Sequence, residues 1–227
     1  MTLKLGYWPV GGIAQPIRML LHILGEDYEN VIFNNREEWA PVKQQRTGDG
    51  DDFVNIPYLQ DGDVFITESG AIPYYLCQKF NKDLYGKNAL DTTRVLQING
   101  VINDFHKAII SPIFYSKEPK ETAAKAIKEG SNGDGLAAKL AAFLGEKEFL
   151  LGYLTYADLN LAFRVLFMRS FILSLDLEDP FLKYPNLLQH SKRIYEHDVL
   201  KGYAESHSYF PCLNAGFVPY YKEHPLP

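Results

Sequence analysis

The stretch Asn55-Ile56-Pro57-Tyr58-Leu59-Gln60-Asp61-Gly62-Asp63-Val64-Phe65-Ile66-Thr67-Glu68-Ser69-Gly70 decides how the first third of this chain folds. Tyr58–Gln60 and Val64–Thr67 are short β-rich runs parted by Asp61-Gly62, a pair suited to the positive φ of a tight hairpin. A helix is predicted directly behind the hairpin, from Glu68 to about Phe80. Ahead of it, Pro57 opens an inner strand, where its missing N–H removes one rung of a ladder. Taken alone, Ile56-Pro57 reads as a trans proline beginning a strand. A cis bend there would instead leave the Ile56 backbone open to pair with an extended peptide, as strand addition does.

Working outward toward the N-terminus, Leu3 to Trp8 is a β-rich run that stops at Pro9 with Gly11-Gly12 behind it. Ile13 to Leu24 places Ile13, Ile17, Leu20, Leu21 and Leu24 on one helical stripe, with Gly25 as the stop. Tyr28 to Phe33 reads as a second strand, and Arg36 to Arg46 as a short helix that tolerates Pro41 in its first turns. The order βαβαββα predicts a mixed sheet with helices on its faces.

Outward toward the C-terminus, Asn81 to Asn88 is polar and reads as a linker. Beyond Asp91 the strand signals fade, and helices are predicted over Thr92 to Tyr115, Lys120 to Leu144, Thr155 to Phe171 and Asn186 to Tyr195. The fold class expected is α/β plus all-α, with one domain over 1–82 and an all-helical one over 91–227. Thr155-x-x-Asp158 has the form of a capping box. The helix behind it carries Leu161, Ala162, Phe163, Val165, Leu166, Phe167 and Phe171, apolar on nearly every face, so it belongs in the middle of the second domain.

Composition narrows the function classes. The chain has 227 residues, a formal net charge of −5 and 23 scattered Lys and Arg, which argues against nucleic acid or an anionic membrane as partner. Cys77 and Cys212 lack CxxC or His-rich company, so neither a disulfide framework nor a metal site is expected. Asp49-Gly50-Asp51-Asp52 departs from a calcium loop in its glycine and terminal Glu, and reads as a solvated turn. The apolar runs are far too short to span a bilayer, and the N-terminus reads as a strand, not a signal peptide. A reducing cytosol fits.

Two places carry candidate chemistry. Tyr7 ends the first strand just before a turn and a helix, where its hydroxyl can stabilise an anion such as a thiolate; packing its ring in the core is the plainer alternative. Thr67-Glu68-Ser69-Gly70 opens a helix, where free amides, the Ser69 hydroxyl and the helix dipole suit a carboxylate, and Glu68 suits an ammonium. An ordinary helix cap needs no such ligand.

Four blocks join these signals: Leu5-Gly6-Tyr7-Trp8-Pro9-Val10, Ile17-Arg18-Met19-Leu20-Leu21, the stretch from Asn55 to Ile72, and Leu154-Thr155-Tyr156-Ala157-Asp158-Leu159. In order and spacing they resemble the cytosolic glutathione transferases over essentially the whole chain. The resemblance implies a thioredoxin-like first domain, an all-helical second domain and a homodimer. It implies glutathione as co-substrate, no other cofactor and no metal. It also implies that Tyr7 hydrogen-bonds the glutathione sulfur, and that the Ile56 backbone pairs with the cysteinyl part beside a cis Pro57. Glu68 and Ser69 would hold the γ-glutamyl end, and Trp39 and Lys43 the glycyl carboxylate, with Trp8 and Asn55 close by. Asp104 would reach the partner's glutathione, and Phe53 would insert into the neighbouring subunit.

Gly6-Tyr7-Trp8, Asn55 and Phe53 lean toward the mu class, while Pro9-Val10 and the short connection from Phe33 to Trp39 lean toward pi. Gly11 stands where both usually carry arginine, and Glu68 where both usually carry glutamine. The activity implied is conjugation of the glutathione thiolate to hydrophobic electrophiles. Val10, Ile13, Phe114, Tyr115 and Phe210 are candidates for an apolar second site between the domains. The aromatic tail from Ser206 to Pro227 would pack on the helices or fold over the site as a lid. A prostaglandin-type glutathione-dependent isomerase, and a non-catalytic ligand carrier or structural relative, are the alternatives. A thioredoxin-type oxidoreductase is disfavoured, since neither cysteine lies at the first strand-to-helix turn.

Overall fold

A computed structural model describes residues 2–206, 209 and 210. Cys212 and the tail beyond it lie outside the described residues. The chain divides into two compact units, the first formed by 1–82 with the described residues from 202 to 210, the second by 83–201.

The first unit holds β1 (Leu3–Tyr7), α1 (Gln15–Leu24), β2 (Tyr28–Ile32), α2 (Arg36–Gly48), β3 (Tyr58–Asp61), β4 (Val64–Thr67) and α3 (Ala71–Phe80). The strand order is β2-β1-β3-β4, with β1 parallel to β2 and antiparallel to β3. β3 and β4 form the hairpin, with Tyr58 opposite Thr67 and Asp61 opposite Val64. Gly6 pairs with Tyr58, and a Cβ at Gly6 would come within 2.0 Å of the Tyr58 ring, so glycine is what lets that ring lie across β1.

In this unit two helix starts differ from the sequence expectation. Residues 11–14 form a turn, and α1 begins at Gln15 with Pro16 in its first turn, where a missing N–H costs nothing. Glu68 adopts a positive φ of 71°, which is incompatible with a helix, so α3 starts only at Ala71.

The second unit is helical: α4 (Ala89–Phe114), α5 (Pro119–Ile127), α6 (Asn132–Leu144), α7 (Tyr156–Ser174) and α8 (Pro185–Glu196). The single helix expected over Lys120 to Leu144 is two. Gly130 takes φ 77°, and the Ser131 side chain accepts the Asp134 amide to start α6. All of α7 except Arg169 and Leu173 is buried, in keeping with apolar residues on every face. Its capping box is present: Asp158 accepts the Thr155 amide at 2.9 Å and the Thr155 hydroxyl at 2.8 Å. The other Asp158 oxygen takes the Leu150 amide at 2.8 Å and lies 3.0 Å from buried His190 on α8. His190 was not legible in the pattern, because its partner lies 32 residues away.

Candidate functional site

The turn between β1 and α1 positions Tyr7. The strand ends there, the chain reverses through 11–14, and the Ile13 amide donates to the Tyr7 oxygen over a long 3.4 Å. A phenol oxygen carries two lone pairs and one O–H, so accepting from Ile13 does not use the proton. Gly12 makes this approach possible twice over. Its φ is 49°, and a Cβ there would meet the Tyr7 oxygen at 2.8 Å. Tyr7 is 8% exposed, and its oxygen lies at the Ile13 amide in the turn that leads into α1.

Tyr7, Val10 and Ala14 form one apolar cluster, with Trp8, Ile13 and Ile56 packed against it. Phe33, Trp39, Val54 and Tyr58 form a second, and Trp8 and Ile56 pack against that one too. Trp8 and Ile56 therefore join the Tyr7 turn to the aromatic wall of α2 and β3. Trp39 stacks on Tyr58 at 6.0 Å and meets Phe33 edge-on at 5.1 Å. Lys43 lies one turn further along α2 and is exposed.

The Ile56-Pro57 peptide bond is cis. Ile56 stands outside both β3 ladders, whose registers begin at Tyr58. Pro57 is buried and Asn55 exposed. Continuing the β3–β4 register by one residue brings Pro57 opposite Glu68. There the Ala71 and Ile72 amides both close on the Glu68 carbonyl, at 3.0 and 3.1 Å. The amides of Ser69 and Gly70 are left at the open end of the turn, and among the described residues the Ser69 hydroxyl makes no hydrogen bond. A left-handed φ at a residue that is not glycine costs on the order of 1 kcal/mol or more and recurs at binding sites. Glu68 is such a residue, and it is exposed.

Beneath Tyr7 lies a residue whose importance the sequence did not single out. Arg18 of α1 is fully buried. It donates to the Val10 carbonyl at 2.8 Å and, more weakly, to Gln15 and Asn30 at 3.4 Å each. Its guanidinium lies 5.9 Å from the Tyr7 ring centre and 4.3 Å from that of Phe210. Burial pulls its pKa below the ordinary value, opposed by the phenols of Tyr203, Tyr28 and Tyr7. The signal available was a lone cation inside the apolar run Ile17-Arg18-Met19-Leu20-Leu21. Phe210, a candidate for the electrophile pocket, packs here on Arg18. Tyr203 meets His22 at 5.3 Å, so the described end of the chain packs on α1.

Three expected site residues fall in the second unit. Asp104 is exposed on α4. Phe114 packs on Phe171 at 5.8 Å and is 43% exposed, and Tyr115 is 92% exposed. Phe53 belongs to the first unit and is 86% exposed at φ 55°, its carbonyl accepting the Thr67 hydroxyl at 3.0 Å. Among the described residues no group of three or more His, Cys, Asp or Glu is placed to hold a metal ion. Nor is any described helix long and apolar enough to cross a membrane.

The sequence patterns of two domains match this chain: the glutathione S-transferase N-terminal domain over residues 3–78 and the C-terminal domain over 103–207. A class-mu 26 kDa glutathione S-transferase isozyme of Fasciola hepatica is 29% identical over 212 residues, spanning 92% of this chain and 91% of its own. Glutathione S-transferase Mu 3 of Macaca fuscata fuscata is 30% identical over 170 residues, 70% of this chain and 73% of its own. Among solved structures, a Pi-class glutathione S-transferase of Onchocerca volvulus superposes with a TM-score of 0.77 at 26% identity. It covers 95% of this chain and 99% of its own. The names of these relatives divide between mu and pi as the motifs do.

Proposed function

This chain belongs to the glutathione S-transferase family, and on that premise we propose that it conjugates the thiolate of glutathione to hydrophobic electrophiles, with Tyr7 donating a hydrogen bond to the sulfur. The observation that carries this reading is the convergence at one turn. The Tyr7 oxygen sits at the Ile13 amide in the turn leading into α1, while the side chain of Ile56, whose backbone stands outside both ladders, packs against the same cluster. A tripeptide running along Ile56 would bring its central cysteine to that oxygen. Its γ-glutamyl end would reach Glu68 and the Ser69–Gly70 amides, and its glycyl end Trp39 and Lys43, with Trp8 and Asn55 alongside.

The energetics are adequate. A free thiol of pKa near 8.5 is only a few per cent ionised at neutral pH. Lowering that value by about two units needs roughly 2.7 kcal/mol of preference for the anion. A hydrogen bond to a charged group supplies roughly 1.5–3 kcal/mol, and the start of α1 adds to it. The reaction then needs no metal and no redox cofactor. Val10 and Ile13 beside Tyr7 are apolar enough to receive an electrophile.

The same reading includes a homodimer with Phe53 inserted into the partner, Asp104 serving the partner's glutathione, and a cytosolic location. The test of the catalytic assignment is Tyr7→Phe. It keeps glutathione affinity and loses roughly ten- to a hundredfold in kcat/KM for a chromogenic conjugation. Unchanged turnover would falsify the role of Tyr7.

A further inference from the structure

A buried guanidinium normally sits against a carboxylate, because an isolated buried charge is costly. Arg18 does not. Its partners are one backbone carbonyl and two amide oxygens, and its Nη2 has no hydrogen-bond partner. Gln15 and Asn30 both turn their oxygens toward it and leave their own buried nitrogens unpartnered, so the neutral side chains around it are already arranged to its charge. The titratable groups that face it are phenols: Tyr7 from β1, Tyr28 at the start of β2 and Tyr203 from the C-terminal segment. On α1 itself, His22 lies against Tyr203. Glu29 on β2 is taken by Lys4 at 2.8 Å, and on α3 the side chains of Tyr75 and Lys79 turn to Asp61. Among the described residues no carboxylate neutralises Arg18.

The turn in front of it brings no charge of its own, being Gly11-Gly12-Ile13. An arginine stays protonated in proteins, so the first unit keeps a fixed positive charge 5.9 Å behind the Tyr7 ring. We propose that Arg18 is a positioning residue for the thiolate: its uncompensated buried charge, acting through and past Tyr7, lowers the pH at which bound glutathione ionises. The inference rests on the assignment of Tyr7 to the sulfur. A sulfur in hydrogen-bond reach of the hydroxyl would lie on the order of 9 Å from the guanidinium. At an effective dielectric of about 20, that separation corresponds to roughly one pH unit.

Gln15→Glu tests this without removing Arg18. It places a carboxylate on the guanidinium and replaces a buried orphan N–H donor, so the fold should melt no lower than the wild type. If Arg18 sets the thiol's ionisation, the acid limb of the pH profile of kcat/KM moves up by roughly one unit, with the plateau at high pH retained. Arg18→Lys, which keeps the charge, leaves the limb near its wild-type position where it folds by circular dichroism. Arg18→Gln moves it upward. A Gln15→Glu protein of normal or raised Tm with an unmoved limb overturns the inference and leaves Arg18 a structural residue. Tyr7→Phe separates the two ideas. If that variant retains turnover, the Tyr7 assignment fails however the Arg18 variants behave. If it loses turnover while Gln15→Glu leaves the limb in place, only the present inference fails.

Discussion

Tyr7 and Gly12 are a pair in the proposed reaction: the phenol oxygen keeps its place because the residue facing it has no side chain. Gly12→Ala would put a methyl within 2.8 Å of that oxygen at φ 49°. The strain should cost about 1–2 kcal/mol of stability. The displaced hydroxyl should lower kcat/KM by roughly tenfold or more, since small misplacements of a catalytic group are expensive. Wild-type turnover in a folded Gly12→Ala protein would contradict the geometry. At this scale the sequence left Tyr7 between a ring packed in the core and a hydroxyl facing an anion, and only the resemblance preferred the second. The sequence was silent about Arg18, because a stripe of Ile13, Ile17, Leu20, Leu21 and Leu24 explains the helix without it. It was equally silent about the left-handed Glu68, since nothing in a glutamate announces a positive φ.

Element boundaries show where periodicity stops being enough. The hairpin was readable, although its turn falls on Gly62-Asp63, one residue later than expected, with Asp61 paired to Val64; so was the capping box at Thr155, because each is a local chemical device. The break between α5 and α6 was missed although Gly130, Ser131, Gly133 and Asp134 spell it out, since the apolar pattern on either side runs on in phase. Asp134 holds that break together. It accepts the Gly130 amide at 2.9 Å and the Tyr184 hydroxyl at 2.7 Å, and it pairs with Lys183. Burial opposes its charge, but Lys183, Tyr184 and the Gly130 amide outweigh that and hold its carboxyl below the ordinary range. Such a carboxylate contributes its stability above the unfolded value, near 3.9, and loses it as pH falls through the lower folded-state value. Asp134→Asn should therefore cost about 1–2 kcal/mol at neutral pH, a few degrees of Tm. The gap from the wild type should close in strongly acidic buffer. A gap that stays constant with pH would mean the charge is not what matters.

For the whole molecule, two units of different class were legible because strand signals end where long helical ones begin. That the described residues from 202 to 210 rejoin the first unit, through Tyr203 on His22 and Phe210 on Arg18, was not. A short aromatic segment has no period to read. The proposed dimer turns on Phe53, which is 86% exposed and held out at φ 55°. Phe53→Asp should weaken dimerisation by roughly thirtyfold or more, as loss of an aromatic anchor does, and sedimentation velocity reads it directly. A sedimentation coefficient equal to that of the wild type across the dilution range would remove Phe53 from the interface. The most direct test of the account as a whole is the ultraviolet absorbance of bound glutathione thiolate, titrated with pH in the wild type and in Tyr7→Phe. We predict a bound thiol that ionises about two units below the free one in the wild type, and a return most of the way to the free value in the variant. The same midpoint in both proteins would contradict it.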